Sequence, residues 1–196
     1  MARYGRFGPG IPMAEEEVLK TSQCGFDPHP GHMAETQRQP VPRTDTGELD
    51  TALAFLRFAR ASVAKKLDDL DEEQVRRVLV PTGTTLLGLV HHLTTGERYW
   101  FGHHVAGGWP DQEWDFDEDP PAGASSAQML ADYRSACEES DRIIVAAGDA
   151  DTPMAMPVDG QHLSLRWVLA HMTSETARHA GHADILRELI DGTTGR

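Results

Sequence analysis

The chain has 196 residues, of which 31 are acidic and 18 are lysine or arginine, so its formal net charge is -13 at pH 7. An acidic chain without a basic patch repels phosphate groups, which argues against nucleic acid and anionic membrane surfaces as partners. No apolar run approaches the roughly 18 residues of a membrane span, and the N-terminus has no apolar secretory core. We therefore expect a soluble, cytoplasmic protein whose two cysteines, Cys24 and Cys137, are reduced.

Residues 1–44 carry scattered glycine and proline with no sustained apolar period. This composition predicts an N-terminal extension that lacks its own core and is poorly ordered. Cys24 lies near His29 and His32, so a metal site in this segment is conceivable. The surrounding glycine and proline favour an unstructured segment instead. We assign residues 45–196 to a single folded domain.

Four segments of this domain, each of about 20 residues, repeat apolar side chains every three or four positions, which predicts amphipathic helices. Their predicted bounds are Thr46 or Gly47 to Leu70, Thr84 to Val105, Ser126 to Ala147, and an N-cap near Ser164 to a stop at Gly192. No segment shows the alternation of a β-strand. The pattern predicts an all-α fold, a four-helix bundle, and the core of such a bundle commonly holds ligands supplied by facing helices.

The second predicted helix carries a candidate metal ligand, His92, which continues the apolar stripe one turn after Leu89. His91 points about 100° away and cannot easily face the same ion. Gly96 follows one turn later and either leaves space beside His92 or lets a neighbouring helix approach. His103 and His104 come at the end of the helix and are predicted to be solvated.

The connection over residues 106–125 is acidic, aromatic and rich in glycine and proline. It is longer than a usual helix-to-helix hairpin, so we expect it to cross the bundle or to cover an opening. Trp109, Trp114 and Phe116 are predicted to pin it to the domain rather than to bind a ligand.

The core-facing stripe of the fourth helix is apolar at both ends and ionisable in the middle, and it reads Val168, His171, Met172, Glu175, His179, His182, Leu186 and Ile190. A carboxylate buried between imidazoles is costly unless a divalent cation compensates for it. Any one of these histidines could instead face solvent or form a hydrogen bond in the core. Glu175 and His179, at i and i+4, can face one ion.

His92 together with Glu175 and His179 gives two imidazoles and one carboxylate from two helices. Three protein ligands leave a fourth position open, as in catalytic zinc sites, although Ni²⁺, Fe²⁺ or Mn²⁺ could use the same ligands as Zn²⁺. His182 and His171 lie one turn beyond the pair, and each could be a further ligand, a hydrogen-bond partner or a general base.

Two motifs carry a family resemblance: H-L-x-x-x-E-R-x-W-F at His92–Phe101 and E-x-A-R-H-x-G-H-x-D at Glu175–Asp184. With their surroundings, about Leu49 to Gly192, they resemble the DinB-like superfamily and within it an actinobacterial branch of uncharacterised proteins, some labelled mini-circle protein. The resemblance implies a DinB/YfiT-like four-helix bundle with up-down-down-up topology. It also implies a divalent metal held by one histidine of the second helix and two residues of the fourth.

Many members of the superfamily have H-x-x-x-H where this chain has Glu175 and His179. The change to Glu175 is similar to the mycothiol-dependent maleylpyruvate isomerases, whose histidine, glutamate and histidine zinc set matches His92, Glu175 and His179. His182 stands where the family usually has glutamine. Because thiol-dependent S-transferases also belong to the superfamily, the resemblance implies chemistry with a low-molecular-weight thiol, with mycothiol as a candidate cosubstrate.

These observations lead to a functional hypothesis. A thiol at the open metal position would lose its proton to His182 or His171, and the thiolate would attack an electrophilic carbon of a small-molecule substrate. The enzyme would then be an S-transferase or a thiol-dependent isomerase. A metal-dependent hydrolase on the same site, and a non-catalytic metal-binding or small-ligand-binding bundle, are the alternatives. A homodimer is a further expectation.

Overall fold

The structure is a computed structural model that describes residues 39–194. The predicted disorder of the N-terminal extension and the conceivable metal site at Cys24 therefore fall largely or wholly outside the described residues. Within the described range the helices are α1 (Glu48–Lys65), α2 (Glu72–Val75), α3 (Leu86–Glu97), α4 (Ser126–Ala147) and α5 (Leu165–Asp191). A π-helical segment, Arg98–Val105, continues α3 without a break. Residues 39–194 contain isolated β-bridges but no named strand, which confirms the all-α class.

Local hydrogen bonds explain where α4 and α5 begin and end. The Ser125 side chain accepts from the Gln128 amide, and the Gln128 side chain accepts from the Ser125 amide, which forms a capping box at the start of α4. The Ser164 side chain caps α5 in the simpler way, by accepting from the backbone of the third helical residue. Gly148 and Gly192 end the two helices in the left-handed conformation that glycine adopts without strain. These bounds agree with the prediction from the sequence.

The predicted end of the first helix at Leu70 is wrong, because α1 ends at Lys65. The chain continues in short turns and reaches a positive φ of 60° at Asp69. Arg187 of α5 explains this early end, since its guanidinium donates to the backbone carbonyls of Lys66 (3.0 Å) and Asp68 (2.6 Å). The buried guanidinium thus donates to carbonyls that would accept backbone hydrogen bonds if α1 were longer.

The four long helices pack pairwise: α1 contacts α5 and α4, and α3 contacts α4 and α5. The up-down-down-up topology itself stays a prediction. The buried apolar residues form two clusters, and α5 contributes to both. Leu165, Val168 and Met172 belong to one cluster, and Ala180 and Ala183 belong to the other. The polar stretch of α5 lies between them along the helix, so the apolar packing at both ends of α5 positions the candidate site.

None of the helices in the described part of the chain is both long enough and apolar enough to cross a membrane.

Candidate metal centre

His92 of α3 and the pair Glu175 and His179 of α5 lie together, and one potential ligand atom from each falls within 4.8 Å of the other two. Both imidazoles direct Nε2 at the same carboxylate oxygen, Glu175 Oε1, at 3.5 Å from His92 and 2.8 Å from His179. Among residues 39–194 this is the one group of three or more histidine, cysteine, aspartate or glutamate side chains spaced to hold a metal ion.

The two donor separations to Glu175 Oε1 suit a small divalent cation. Zinc bonds of 2.0–2.2 Å to nitrogen and oxygen in a tetrahedral site place the ligand atoms about 3.3 Å from one another. The separations of 2.8 Å and 3.5 Å to Glu175 Oε1 bracket this value. The three side chains are partly exposed, by 28% for His92, 18% for Glu175 and 15% for His179. The centre is therefore sheltered but open to a small ligand.

The connection between α3 and α4 orients His92. The backbone carbonyl of Phe116 lies 3.1 Å from His92 Nδ1, and a carbonyl can only accept, so Nδ1 carries the proton. Nε2 then presents its lone pair toward Glu175. Histidine ligands of metals usually have this kind of support on the second ring nitrogen. The ring of Phe116 also packs edge-on against His92, with centroids 5.7 Å apart.

Glu175 receives a second partner from its own helix. Arg178, three residues later, pairs with Oε2 and leaves Oε1 to the two imidazoles. Arg178 is 63% exposed, so the pair lies at the edge of the site. Sequence reasoning had not included Arg178, although its spacing from Glu175 is typical of ion pairs on one helix face.

Burial lowers the pKa of His179 to about 4, and the charges of His92, His182 and Arg178 add to the effect. The imidazole is therefore neutral at pH 7, even beside the Glu175 carboxylate. In the present arrangement Nε2 donates its proton to Glu175, and Nδ1 is buried without a hydrogen-bond partner. A neutral imidazole is the protonation state that a metal requires.

A cavity of about 560 Å³ opens beside the centre, and His92 and His179 form part of its wall. Its lining includes three threonines before and at the start of α3, Thr82, Thr84 and Thr85. It also includes the acidic residues 117–119 of the α3–α4 connection. The expectation that this connection covers an opening agrees with its position, and Phe116 contacts the candidate site directly.

The two predicted proton acceptors lie in different surroundings. His182 is exposed, and its ring centroid is 5.4 Å from that of His179. His171 is stacked on Trp167 at 5.1 Å and meets the edge of Trp100 at 4.6 Å. Burial lowers the pKa of His171. His182 therefore lies beside the candidate centre, whereas His171 lies in an aromatic environment one turn away.

One prediction around the second helix needs correction. His104 is not solvated: it is 4% exposed, and its Nδ1 donates to the Met156 carbonyl at 3.0 Å. The His104 carbonyl also accepts from the Met156 amide at 2.9 Å, so the loop before α5 covers this end of the helix, which was predicted to be open to solvent. A Cβ atom at Gly96 would meet Met172 of α5 at 3.6 Å, an ordinary van der Waals distance, so this glycine faces the neighbouring helix.

The family model described as mycothiol-S-transferase matches residues 51–192, a range that includes every residue of the candidate centre. No curated protein matches the chain.

Proposed function

The chain belongs to the mycothiol-S-transferase family, a member of the DinB-like superfamily, and we propose that it is a metal-dependent enzyme that joins a low-molecular-weight thiol to an electrophilic substrate. A thiol-dependent isomerisation is the variant in which the added thiol leaves again. The observation that carries the proposal is the convergence of two imidazole nitrogens on one carboxylate oxygen beside a cavity of ligand size.

His92, Glu175 and His179 would hold the metal, with zinc as the best match to two imidazoles and a carboxylate; Ni²⁺, Fe²⁺ and Mn²⁺ are the alternatives. Bound there, a divalent cation supplies the positive charge that stabilises a thiolate relative to a thiol. The Phe116 carbonyl holds His92 in the tautomer that leaves Nε2 free, and Arg178 holds one carboxylate oxygen of Glu175.

His182 is the proposed acceptor for the proton that the thiol loses. It is exposed, so it can pass the proton to solvent, and its ring lies next to His179. Its role as a base requires the neutral imidazole. The hydroxyl groups of Thr82, Thr84 and Thr85 would receive the polar part of the thiol in the cavity.

The four long helices are proposed to form the up-down-down-up bundle. The pairwise contacts of α1 with α4 and α5, and of α3 with α4 and α5, form a closed ring of neighbours, which supports a bundle. His92 and the α5 pair then come from helices that face each other across one such contact.

The proposal is tested by metal analysis of untagged protein, followed by thiol consumption with mycothiol and a panel of electrophiles. We expect one divalent ion per chain, and we expect His92→Ala and His179→Ala each to lose it while helical circular dichroism is retained. His162→Ala, which removes an exposed imidazole on the loop before α5, is the matched control and should keep the metal. Stoichiometric metal in both site variants would refute the assignment. Metal binding without turnover would favour a binding module.

A further inference from the structure

A continuous run of aromatic side chains begins at His92 and leads away from the cavity. The ring of Phe116 packs against His92, and Tyr99 packs against Phe116 with centroids 5.1 Å apart. Trp100 follows at 5.0 Å from Tyr99. Tyr99 and Trp100 are neighbours in the π-helical segment, a conformation that is frequent at functional sites.

The run then crosses to α5. Trp100 meets His171 at 4.6 Å, and His171 stacks on Trp167 at 5.1 Å with an interplanar angle of 10°. We call the five side chains the aromatic wall: Tyr99, Trp100, Phe116, His171 and Trp167. None belongs to the buried core; Trp167 is 40% exposed and the other four are partly exposed. The wall is therefore a surface that a ligand can reach.

The geometry of α5 connects this wall with the candidate centre. Trp167, His171 and Glu175 follow one another at intervals of four residues, so they lie on one face of the helix. Each interval advances about 6 Å along the helix axis. A planar group stacked on the wall at His171 would therefore have its substituents about one helical turn from the Glu175 carboxylate.

We propose that the aromatic wall binds the planar aromatic ring of the electrophilic substrate and so directs its reactive carbon to the candidate metal centre. This inference rests on the proposed function and adds the substrate class: an aryl or arylmethyl electrophile. Aromatic rings favour stacked and edge-on contacts with other aromatic rings. Continuity with His92 favours a small substrate over a protein partner, because the wall begins at a side chain of the centre itself.

His171 is accordingly a specificity-determining residue rather than the base. Both aromatic neighbours touch its ring, and burial lowers the pKa of His171, so it presents a neutral planar surface at pH 7. The aromatic stack does not depend on its nitrogens. A phenylalanine at this position would therefore preserve the wall, whereas an alanine would interrupt it.

The experiment measures binding, without turnover, of the unreactive probe 4-nitrobenzyl alcohol to the full chain by saturation-transfer NMR titration. Trp167→Ala and His171→Ala should each raise the Kd about two- to tenfold, as expected for the loss of one aromatic contact. His171→Phe should bind within about twofold of the unsubstituted protein by the same principle. Phe55→Ala, which removes an aromatic side chain of similar exposure (39%) on α1, is the control and should leave the Kd unchanged.

Cyclohexylmethanol, which lacks the aromatic ring, should bind more weakly than the probe. Unchanged probe affinity in both Trp167→Ala and His171→Ala would overturn the proposal, as would equal affinity for the two alcohols. A loss of affinity in His171→Phe as large as in His171→Ala would also contradict it. Helical circular dichroism and metal content are measured for each variant. Failure of the proposed function would instead appear as absent metal or absent thiol consumption, irrespective of the binding titration.

Discussion

The most informative stability prediction concerns a buried ion pair between α1 and α3. Arg60 binds Glu97 through two parallel hydrogen bonds, Nε to Oε1 at 2.7 Å and Nη2 to Oε2 at 2.6 Å. The side chains are 5% and 1% exposed. Replacing Glu97 with alanine would leave a guanidinium in the interior whose remaining counter-charge is Asp141, 2.7 Å from Nη1 and 22% exposed.

Removing one partner of a buried ion pair costs about 3–5 kcal/mol, because the other charge stays buried without compensation. Since Asp141 still faces the guanidinium, we expect Glu97→Ala to lower the free energy of unfolding by about 3 kcal/mol, at the lower end of that range. Urea unfolding followed by far-UV circular dichroism measures it. Asp132→Ala, which breaks the exposed pair with Arg98, is the control and should cost less than about 1 kcal/mol.

A double variant separates the effect of the buried charges on stability from the effect of the packing around them. Arg60→Met combined with Glu97→Leu removes both charges and keeps apolar volume, so it should be more stable than Glu97→Ala alone. The reasoning is wrong if Glu97→Ala lies within about 0.5 kcal/mol of the unsubstituted protein, the range of an ordinary surface change. It is also wrong if Glu97→Ala is no less stable than Asp132→Ala.

Three further predictions follow from two buried groups outside the candidate centre, Cys137 and Arg187. Burial raises the pKa of the Cys137 thiol to about 12. In a Cys24→Ser variant at about pH 8, Cys137 should therefore react with iodoacetamide at least about a hundredfold more slowly in the folded protein than in urea. Equal rates in the two conditions would contradict this prediction. Because the unfolded thiol ionises first, the contribution of Cys137 to stability should fall as the pH rises above about 9. Arg187→Met should lower the free energy of unfolding by about 2–3 kcal/mol, because two backbone carbonyls lose their donor. It should also speed amide hydrogen exchange in the turns after α1. Arg142→Met, on the exposed face of α4, is the control and should have no measurable effect in urea unfolding.

The sequence was most informative where polar residues interrupt an apolar stripe. Val168 and Met172 before the interruption, and Leu186 after it, identify the inward face of α5, so Glu175 and His179 had to lie on or beside that face. The serine and glycine at the two ends of α5 gave its length, because capping depends on local residues alone. The all-α class followed from the same periodicity in four segments.

Features that depend on axial register or on the path of a loop could not be predicted. Periodicity shows which face of a helix is buried but not which residue of a neighbouring helix lies opposite. The pairing of Arg60 with Glu97 therefore could not be predicted from the sequence. The Phe116 carbonyl that orients His92 has no sequence signature, because every residue has a carbonyl. The burial of His104 depends in the same way on the path of the loop before α5, whose Met156 backbone pairs with His104.

Two polar clusters in the described part of the domain differ in what their hydrogen bonds leave open. In the first, the buried Arg60 guanidinium donates to both oxygens of Glu97, so this carboxylate has its charge and its hydrogen bonds satisfied. In the second cluster, Arg178 pairs with Oε2 of Glu175 at the exposed edge, while Oε1 faces two imidazole nitrogens. A divalent cation could replace the single hydrogen bond from His179 with three ligand bonds and would lower the cost of the half-buried carboxylate. Both clusters border a cavity, but only the second can gain in this way, so it is the one from which we expect chemistry.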